Sequence, residues 1–285
     1  MANKTALEYR SNVKPTWCSE CGDFNVLDSM MEAFSKLQLD PDDTVLVSGV
    51  GCASRLPFYV KTYGLHTIHG RALPASIGVK VARPDMNVIV VGGDGDGFSI
   101  GGNHFIHASR KNPDITYIVM DNEVFGMTKG QNSPTSHSDL TTKINPYETV
   151  EDRINPVLMA LSFNASFIAR GFSADKEQMT DLMVKAIQHK GFSFIHILSP
   201  CTQFNNKVTE ETLRNRIKSL PPDHDTKDRI AGMRLAFGQQ HLYTGLFYQI
   251  DKPTLNDRID SVKKKSLEEV GNKNYSVKDI ARQFE

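Results

Sequence analysis

The feature that most constrains this chain is a short apolar run, Val88 to Val91, that breaks directly into GGDGDGFSIGG. Consecutive branched aliphatic residues closed by glycines predict a fully buried strand followed by a tight turn. Asn103 to Arg110 then reads as a helix and Ile115 to Met120 as a second strand, so the segment is a βαβ unit. Ligands of open parallel sheets bind outside the carboxyl ends of the strands. A turn that gathers backbone N–H groups and a carboxylate there is a candidate site for phosphate and a metal ion.

Two common phosphate loops do not fit. A dinucleotide fingerprint, GxGxxG, would need glycine where Phe98 or Ile100 stands, and no GxxxxGK[ST] pattern occurs. Instead, Asp94 is followed twenty-eight positions later by Asn122, at the predicted carboxyl end of the neighbouring strand. Magnesium takes hard oxygen ligands in octahedral geometry and shares them with phosphates. Asp94, the Asn122 amide and one nearby backbone carbonyl would leave positions for a diphosphate.

The chain has four cysteines: Cys18 and Cys21 in a CxxC, then Cys52 and Cys201. This spacing suits a shared metal centre better than a disulfide framework, which belongs to short secreted chains. Four thiolates can hold Zn²⁺ or a [4Fe–4S] cluster, and spacing alone does not separate them. Lys plus Arg and Asp plus Glu both total 33, so net charge gives no case for nucleic acid or an anionic membrane. The opening MANKTALEYR has no basic segment leading into an apolar run, and no stretch of eighteen apolar residues occurs, so a soluble cytoplasmic protein is expected.

Elsewhere the pattern predicts a helix carrying Val26, Met30, Ala33 and Leu37, and a strand from Thr44 to Val47. It continues with a strand from Ala165 to Arg170, a helix from Lys176 to Lys190 capped by Gly191, and a strand from Ser193 to Leu198. The expectation is an α/β fold whose mostly parallel sheet is covered by helices on both faces. From about Asn205 the chain turns to charged helical stretches, Val208 to Leu220 and Ala231 to Tyr243, and then a polar tail with Lys263 to Lys265. Ser276 with Asp279 three residues on marks a short last helix reaching Phe284.

Gly-Asp-Gly followed at this interval by Asn resembles the thiamine-diphosphate signature of the transketolase and pyruvate decarboxylase superfamily. The longer string GGDGDGFSIGGNHFIHASRKNPDITYIVMDNEVFGMTKGQ resembles the 2-oxoacid:ferredoxin oxidoreductase branch. The resemblance implies a pyrophosphate-type thiamine-diphosphate domain in which Asp94, Asn122 and the Val124 carbonyl hold Mg²⁺. Gly93, Gly95, Asp96, Gly126 and Thr128 would line the diphosphate. WCSECGD, GVGCASR and SPCTQFN resemble the cluster-binding segments of the family's β subunits, which implies one [4Fe–4S] cluster on Cys18, Cys21, Cys52 and Cys201. Ser19-Glu20 departs from the family's usual Pro-Gly, placing an acid beside the cluster. On this reading residues 1–204 form the thiamine-diphosphate and iron–sulfur domain. Residues 205–285 form a C-terminal helical extension and a tail for contact with a partner subunit.

Thiamine diphosphate stabilises the carbanion left by decarboxylation, a two-electron reductant, whereas a cluster takes one electron at a time. Together they imply stepwise oxidation through a radical, with ferredoxin as acceptor and coenzyme A taking the acyl group. The resemblance also implies an α subunit that supplies a glutamate to the cofactor, in an αβ dimer of dimers. WC-x-x-CGDF, HGRALP and LSPC before FN resemble the 2-oxoglutarate-specific members, with pyruvate or another 2-oxoacid as the alternative substrate. A 2-oxoacid carboxylate is best matched by an arginine fork, and Arg55 leads the candidates. Met127 and Lys129 match substrate-contacting positions of relatives, and His69 and Arg71 precede a predicted helix. His104 and His107 form an HxxH with no third ligand nearby and are read as helix packing. A zinc-stabilised scaffold without catalysis is the alternative of a different class.

Overall fold

A computed structural model describes residues 3–238, 241–271 and 281–282. The sheet begins with β1, Thr44–Ser48, and β2, Tyr63–His66, which pair in parallel. On the other side of β1 lies β3, Asn87–Gly93, followed by β4, Ile115–Asp121. Next come β6, Phe192–Leu198, and β5, Phe167–Phe172, both parallel to the preceding strands. The eight-stranded order is β2-β1-β3-β4-β6-β5-β8-β7.

The chain moves one way from β1 to β2 and then the other way from β3 onward. That reversal opens a crevice between the carboxyl ends of β1 and β3, the position at which such sheets bind ligands. Each central strand is buried on both sides, so the apolar runs do not alternate with polar residues. Successive residues still face opposite layers. Ile89 and Val91 pack on the side of α1, Asp23–Leu37, and α6, Lys176–Gln188. Val88 and Val90 pack on the side of α2, Ala72–Ala82, and α4, Gly102–Lys111. Between β3 and α4 the glycine-rich turn coils into a single short helix, α3, Asp94–Phe98.

Helix ends follow local chemistry. Asp175 caps α6 by accepting from the Gln178 N–H at 3.0 Å, and Asn155 caps α5, Pro156–Ser162, by accepting from the Leu158 N–H at 3.2 Å. The expected cap at Gly191 is corrected: α6 already ends at Gln188, because His189 takes extended backbone angles.

The C-terminal third departs furthest from expectation. The helix expected over Val208 to Leu220 shrinks to α7, Glu210–Arg216, and gives way to β7, Ile217–Ser219. The helix expected over Ala231 to Tyr243 shrinks to α8, Arg229–Ala236, and Tyr243 lies in β8, Leu242–Gln249. β8 pairs antiparallel with β5, so the segment after residue 204 adds strands to the main sheet as well as helices. An unpaired β5 edge would leave backbone donors and acceptors exposed, and β8 satisfies them. Lys263 to Lys265 lie on α9, Leu255–Gly271. The capping pair Ser276 and Asp279 lies outside the described residues. Among the described residues no helix is long and apolar enough to cross a membrane.

Candidate active site

The crevice at the β1/β3 reversal is a cavity walled by three loops: Val50 to Ala53 after β1, Gly93 to Asp96 after β3, and Asn122 to Thr128 after β4. It contains Gly93, Asp94, Gly95, Asp96, Asn122, Val124, Gly126, Met127 and Thr128, together with His69. The residues expected to hold a Mg-diphosphate therefore meet in one place, because parallel strands deliver their following loops to one edge of the sheet.

Asp94 is 2 % exposed, and burial, reinforced by the nearby Asp121 carboxylate, pushes its pKa up to about 7. Its Oδ2 accepts a hydrogen bond from Thr135 Oγ1 at 2.8 Å. Asn122 Oδ1 accepts from the Val124 N–H at 3.0 Å, and the Val124 carbonyl accepts from the Gly126 N–H at 2.9 Å. The loop closes through Phe125 and Gln131, which form an antiparallel bridge. A carboxylate, a carboxamide and a carbonyl make an all-oxygen set, the donor chemistry of a hard divalent cation.

Asp96 lines this cavity and also makes hydrogen bonds within the protein. Its Oδ1 accepts from the Val50 N–H at 2.9 Å, the Gly70 N–H at 2.8 Å and His69 Nδ1 at 2.8 Å. The carboxylate thus ties together the loops after β1 and β2. A Cβ at Gly49 would stand 2.1 Å from Asp96 Oδ2, so the close approach of the β1 loop requires glycine there. His69 is held by Asp96 and tilts against the Phe125 ring at 6.1 Å. Arg71 instead donates to the carbonyls of Gly70 and Ile100 and lines neither this cavity nor the next.

A second cavity contains all four cysteines, with Arg55, Met127 and Lys129. It shares Cys52, Asn122, Gly126 and Met127 with the first, so the two are contiguous. A Cβ on Gly126 would stand 3.7 Å from both Asn122 Nδ2 and Cys201 Sγ, and 3.8 Å from Cys52 Sγ. Trp17 fastens the CxxC segment to the Cys52 loop by donating from Nε1 to the Cys52 carbonyl at 2.8 Å. Its ring packs edge-on against Tyr59 at 4.9 Å. All four thiols are free of disulfides. Burial, helped by Asp23, pushes the Cys52 thiol up to about 11 and raises Cys21 further. Glu20, the departure from the family's Pro-Gly, is exposed and holds a φ of 60°. That left-handed angle is the one a glycine takes at no steric cost.

Arg55 Nη1 donates to Thr16 Oγ1 at 2.9 Å, which holds the guanidinium at the cavity wall. His104 and His107 ride on α4 away from both cavities, and burial together with the charge of Arg71 lowers the pKa of His104. Sequence reasoning missed Thr135, Asp121 and His196, which stand behind Asp94. Thr135 comes from an irregular loop with no periodicity, and Asp121 and His196 read as ordinary strand residues.

A largely parallel sheet with an oxygen-ligand site at its switch point suits a phosphate-bearing ligand held through a hard divalent cation. Residues 49–197 match the family described as thiamine pyrophosphate enzyme, C-terminal TPP binding domain. Residues 201–264 match the family described as the C terminal of the pyruvate ferredoxin oxidoreductase beta subunit. More particularly, the chain belongs to the β subunits of the 2-oxoacid:ferredoxin oxidoreductases. It is 43 % identical over 211 residues to 2-oxoacid:ferredoxin oxidoreductase 2, subunit beta, of Aeropyrum pernix, spanning 74 % of this chain and 68 % of that one. It is 35 % identical to 2-oxoglutarate synthase subunit KorB of Methanocaldococcus jannaschii, over 89 % of this chain and 95 % of that one. Among solved structures, the 2-oxoglutarate:ferredoxin oxidoreductase of Magnetococcus marinus, bound to 2-oxoglutarate, coenzyme A and succinyl-CoA, superposes with a TM-score of 0.92. It is 39 % identical, covering 100 % of this chain and 97 % of that one.

Proposed function

We propose that this chain is the cofactor-binding subunit of an enzyme that converts 2-oxoglutarate and coenzyme A to succinyl-CoA and CO₂. The two electrons released pass to ferredoxin, and the reaction is reversible. The observation that carries this reading is the contiguity of the two cavities: the oxygen site and the four cysteines share Asn122, Gly126, Met127 and Cys52. The likeness to the Magnetococcus marinus structure, with 2-oxoglutarate, coenzyme A and succinyl-CoA bound, supports the substrate assignment.

Asp94, Asn122 and the Val124 carbonyl would hold Mg²⁺ and, through it, the diphosphate of thiamine diphosphate. When bound, that cofactor supplies stabilisation of the carbanion that remains after a 2-oxoacid loses CO₂. Cys18, Cys21, Cys52 and Cys201 would hold one [4Fe–4S] cluster, which accepts electrons singly. Among the described residues no group of three or more His, Cys, Asp or Glu side chains is poised around a single ion. A cluster spreads its thiolates over several irons, and the Mg²⁺ set draws on a carboxamide and a carbonyl, so neither centre requires such a group.

The chain's own side chains complete the site. Arg55 and Lys129 line the cysteine cavity, where a guanidinium and an ammonium would suit the carboxylate of a 2-oxoacid. Met127 lines both cavities. His69, fixed by Asp96 in the wall of the first cavity, would stabilise the bound intermediate or the thiamine. The α subunit of the same enzyme would close the crevice and supply the glutamate that the cofactor's pyrimidine requires.

The test is anaerobic purification with the co-expressed α subunit, followed by a visible spectrum and analysis for iron, sulfide and thiamine. A brown chromophore that bleaches on adding 2-oxoglutarate, with succinyl-CoA formed once coenzyme A is present, is the expected result. Pyruvate in a parallel cuvette tests the substrate. A colourless, zinc-loaded complex without thiamine, unchanged by reconstitution with iron and sulfide, would overturn the reading.

A further inference from the structure

Behind Asp94 runs a chain of buried polar side chains, Thr135, Asp121, His196 and Arg170, that lines neither of the two cavities described above. It starts at Arg170 on β5, whose Nε–H donates to His196 Nδ1 at 3.1 Å. A guanidinium offers donors only, so Nδ1 is the acceptor and the ring proton sits on Nε2. Nε2–H then donates to Asp121 Oδ2 at 2.7 Å. Asp121 Oδ1 accepts from the Glu123 N–H at 3.0 Å and lies 2.8 Å from Thr135 Oγ1. Thr135 Oγ1 in turn stands 2.8 Å from Asp94 Oδ2.

None of these five side chains belongs to a residue more than 4 % exposed. The far end is anchored as well: Arg170 Nη1 donates to the Tyr243 carbonyl at 3.4 Å, and the guanidinium lies 5.5 Å from the centre of the Phe247 ring. Both anchors come from β8, so the C-terminal segment fixes the root of a network that ends at the cofactor site.

We propose that Thr135, backed by Asp121, His196 and Arg170, is the positioning residue that orients the Asp94 carboxylate for Mg²⁺, holding Oδ2 and leaving Oδ1 as the ligand oxygen. This rests on the reading of Asp94 as a Mg²⁺ ligand. The first two links, Arg170 to His196 and His196 to Asp121, have their proton direction dictated from the arginine end. At Thr135 one hydroxyl proton faces two carboxylates. Two buried carboxylates that share one donor repel, and a divalent cation on the far oxygen of Asp94 offsets that repulsion. A ligating carboxylate held in this way is pre-oriented, and loss of such an outer partner typically weakens metal binding about 10- to 100-fold.

The experiment uses the αβ complex stripped of metal and cofactor, titrated with Mg²⁺ in a calorimeter at saturating thiamine diphosphate. Thr135→Val, nearly isosteric, is expected to weaken Mg²⁺ binding at least about 10-fold, while Thr135→Ser, which keeps the hydroxyl, stays within about 3-fold of the parent. The melting temperature without Mg²⁺ is measured alongside, since a merely structural residue would lower it and leave the affinity of the folded fraction alone. If Thr135→Val does not fold, His196→Met and His196→Gln form the second pair. The methionine loses the donor to Asp121 and should weaken Mg²⁺, and the glutamine, whose amide can donate, should restore it. Parent-like Mg²⁺ affinity in Thr135→Val overturns the inference even though the parent binds cofactor normally. A parent complex that binds neither Mg²⁺ nor thiamine diphosphate overturns the underlying reading of Asp94.

Discussion

Replacing Asp96 by Asn distinguishes a residue that ties loops together from one that touches cofactor. The carboxylate accepts from the Val50 and Gly70 N–H groups and from His69 Nδ1 through the same oxygen, Oδ1, at 2.8 to 2.9 Å. An Asn carbonyl can take the same three contacts without rearrangement, so the change removes charge and little else. A hydrogen bond to a charged acceptor contributes about 1.5–3 kcal/mol and a neutral one about 0.5–1.5 kcal/mol, so three conversions lose roughly 3–4 kcal/mol. Asp96 is 3 % exposed, and no longer burying a charge offsets part of that, for a net loss of about 2 kcal/mol. For a chain of 285 residues about 2 kcal/mol lowers the melting temperature by roughly 3–4 °C. Scanning calorimetry and thiamine-diphosphate titration on the same sample read the two effects apart. The expected result is the lowered melting temperature with cofactor affinity weakened by less than about tenfold. An unchanged melting temperature with binding abolished would refute the loop-tying role and return Asp96 to direct contact with the cofactor.

Arg55→Lys keeps the charge and loses the planar fork, so KM for the 2-oxoacid is expected to rise about tenfold with a smaller change in kcat. Equal losses in kcat and kcat/KM would instead move Arg55 to a role made only in the transition state. Mg²⁺ affinity is expected to depend on pH, because burial and Asp121 raise the Asp94 carboxyl to about 7. Below that pH the cation must displace a proton, so binding at pH 6 should be roughly tenfold weaker than at pH 8, with proton release visible in buffers of different ionisation heat. The sign for the metal-free fold is the reverse. A carboxyl whose pKa is higher folded than unfolded contributes stability that is full below the unfolded value and lost as pH rises toward about 7. Affinity that is flat from pH 6 to 8 would show that Asp94 is already ionised in the folded protein.

The local chemistry of this protein is written in short stretches of sequence. The run Val88 to Val91 closing on GGDGDG forms β3 and the turn after it, since a strand buried on both faces needs continuous aliphatic residues and a tight turn needs glycine. Asp94 and Asn122 could be named as partners because a βαβ unit has a predictable reach, and adjacent parallel strands must deliver their ends to one edge. The four cysteines were legible as a set because they are few and polar in setting, although Cys201 is distant from the rest.

Tertiary structure decided what depends on contacts across the chain. Leu242 and Tyr243, expected at the end of a helix, lie instead in β8, because the open edge of β5 offers backbone hydrogen bonds to that segment. Asp96, read along the turn, is expected only to line the diphosphate. Its carboxylate is captured by the Val50 and Gly70 amides, which approach only when β1 and β2 are in place. Thr135, Asp121, His196 and Arg170 come from a loop and three strands, and no spacing in the sequence links them. Sequence alone determines which residues can carry the chemistry, since that depends on side-chain type and nearest neighbours. Which of them face the ligand and which hold the others in place follows only from the packed sheet, where burial makes each unpaired polar group costly and so selects its partners.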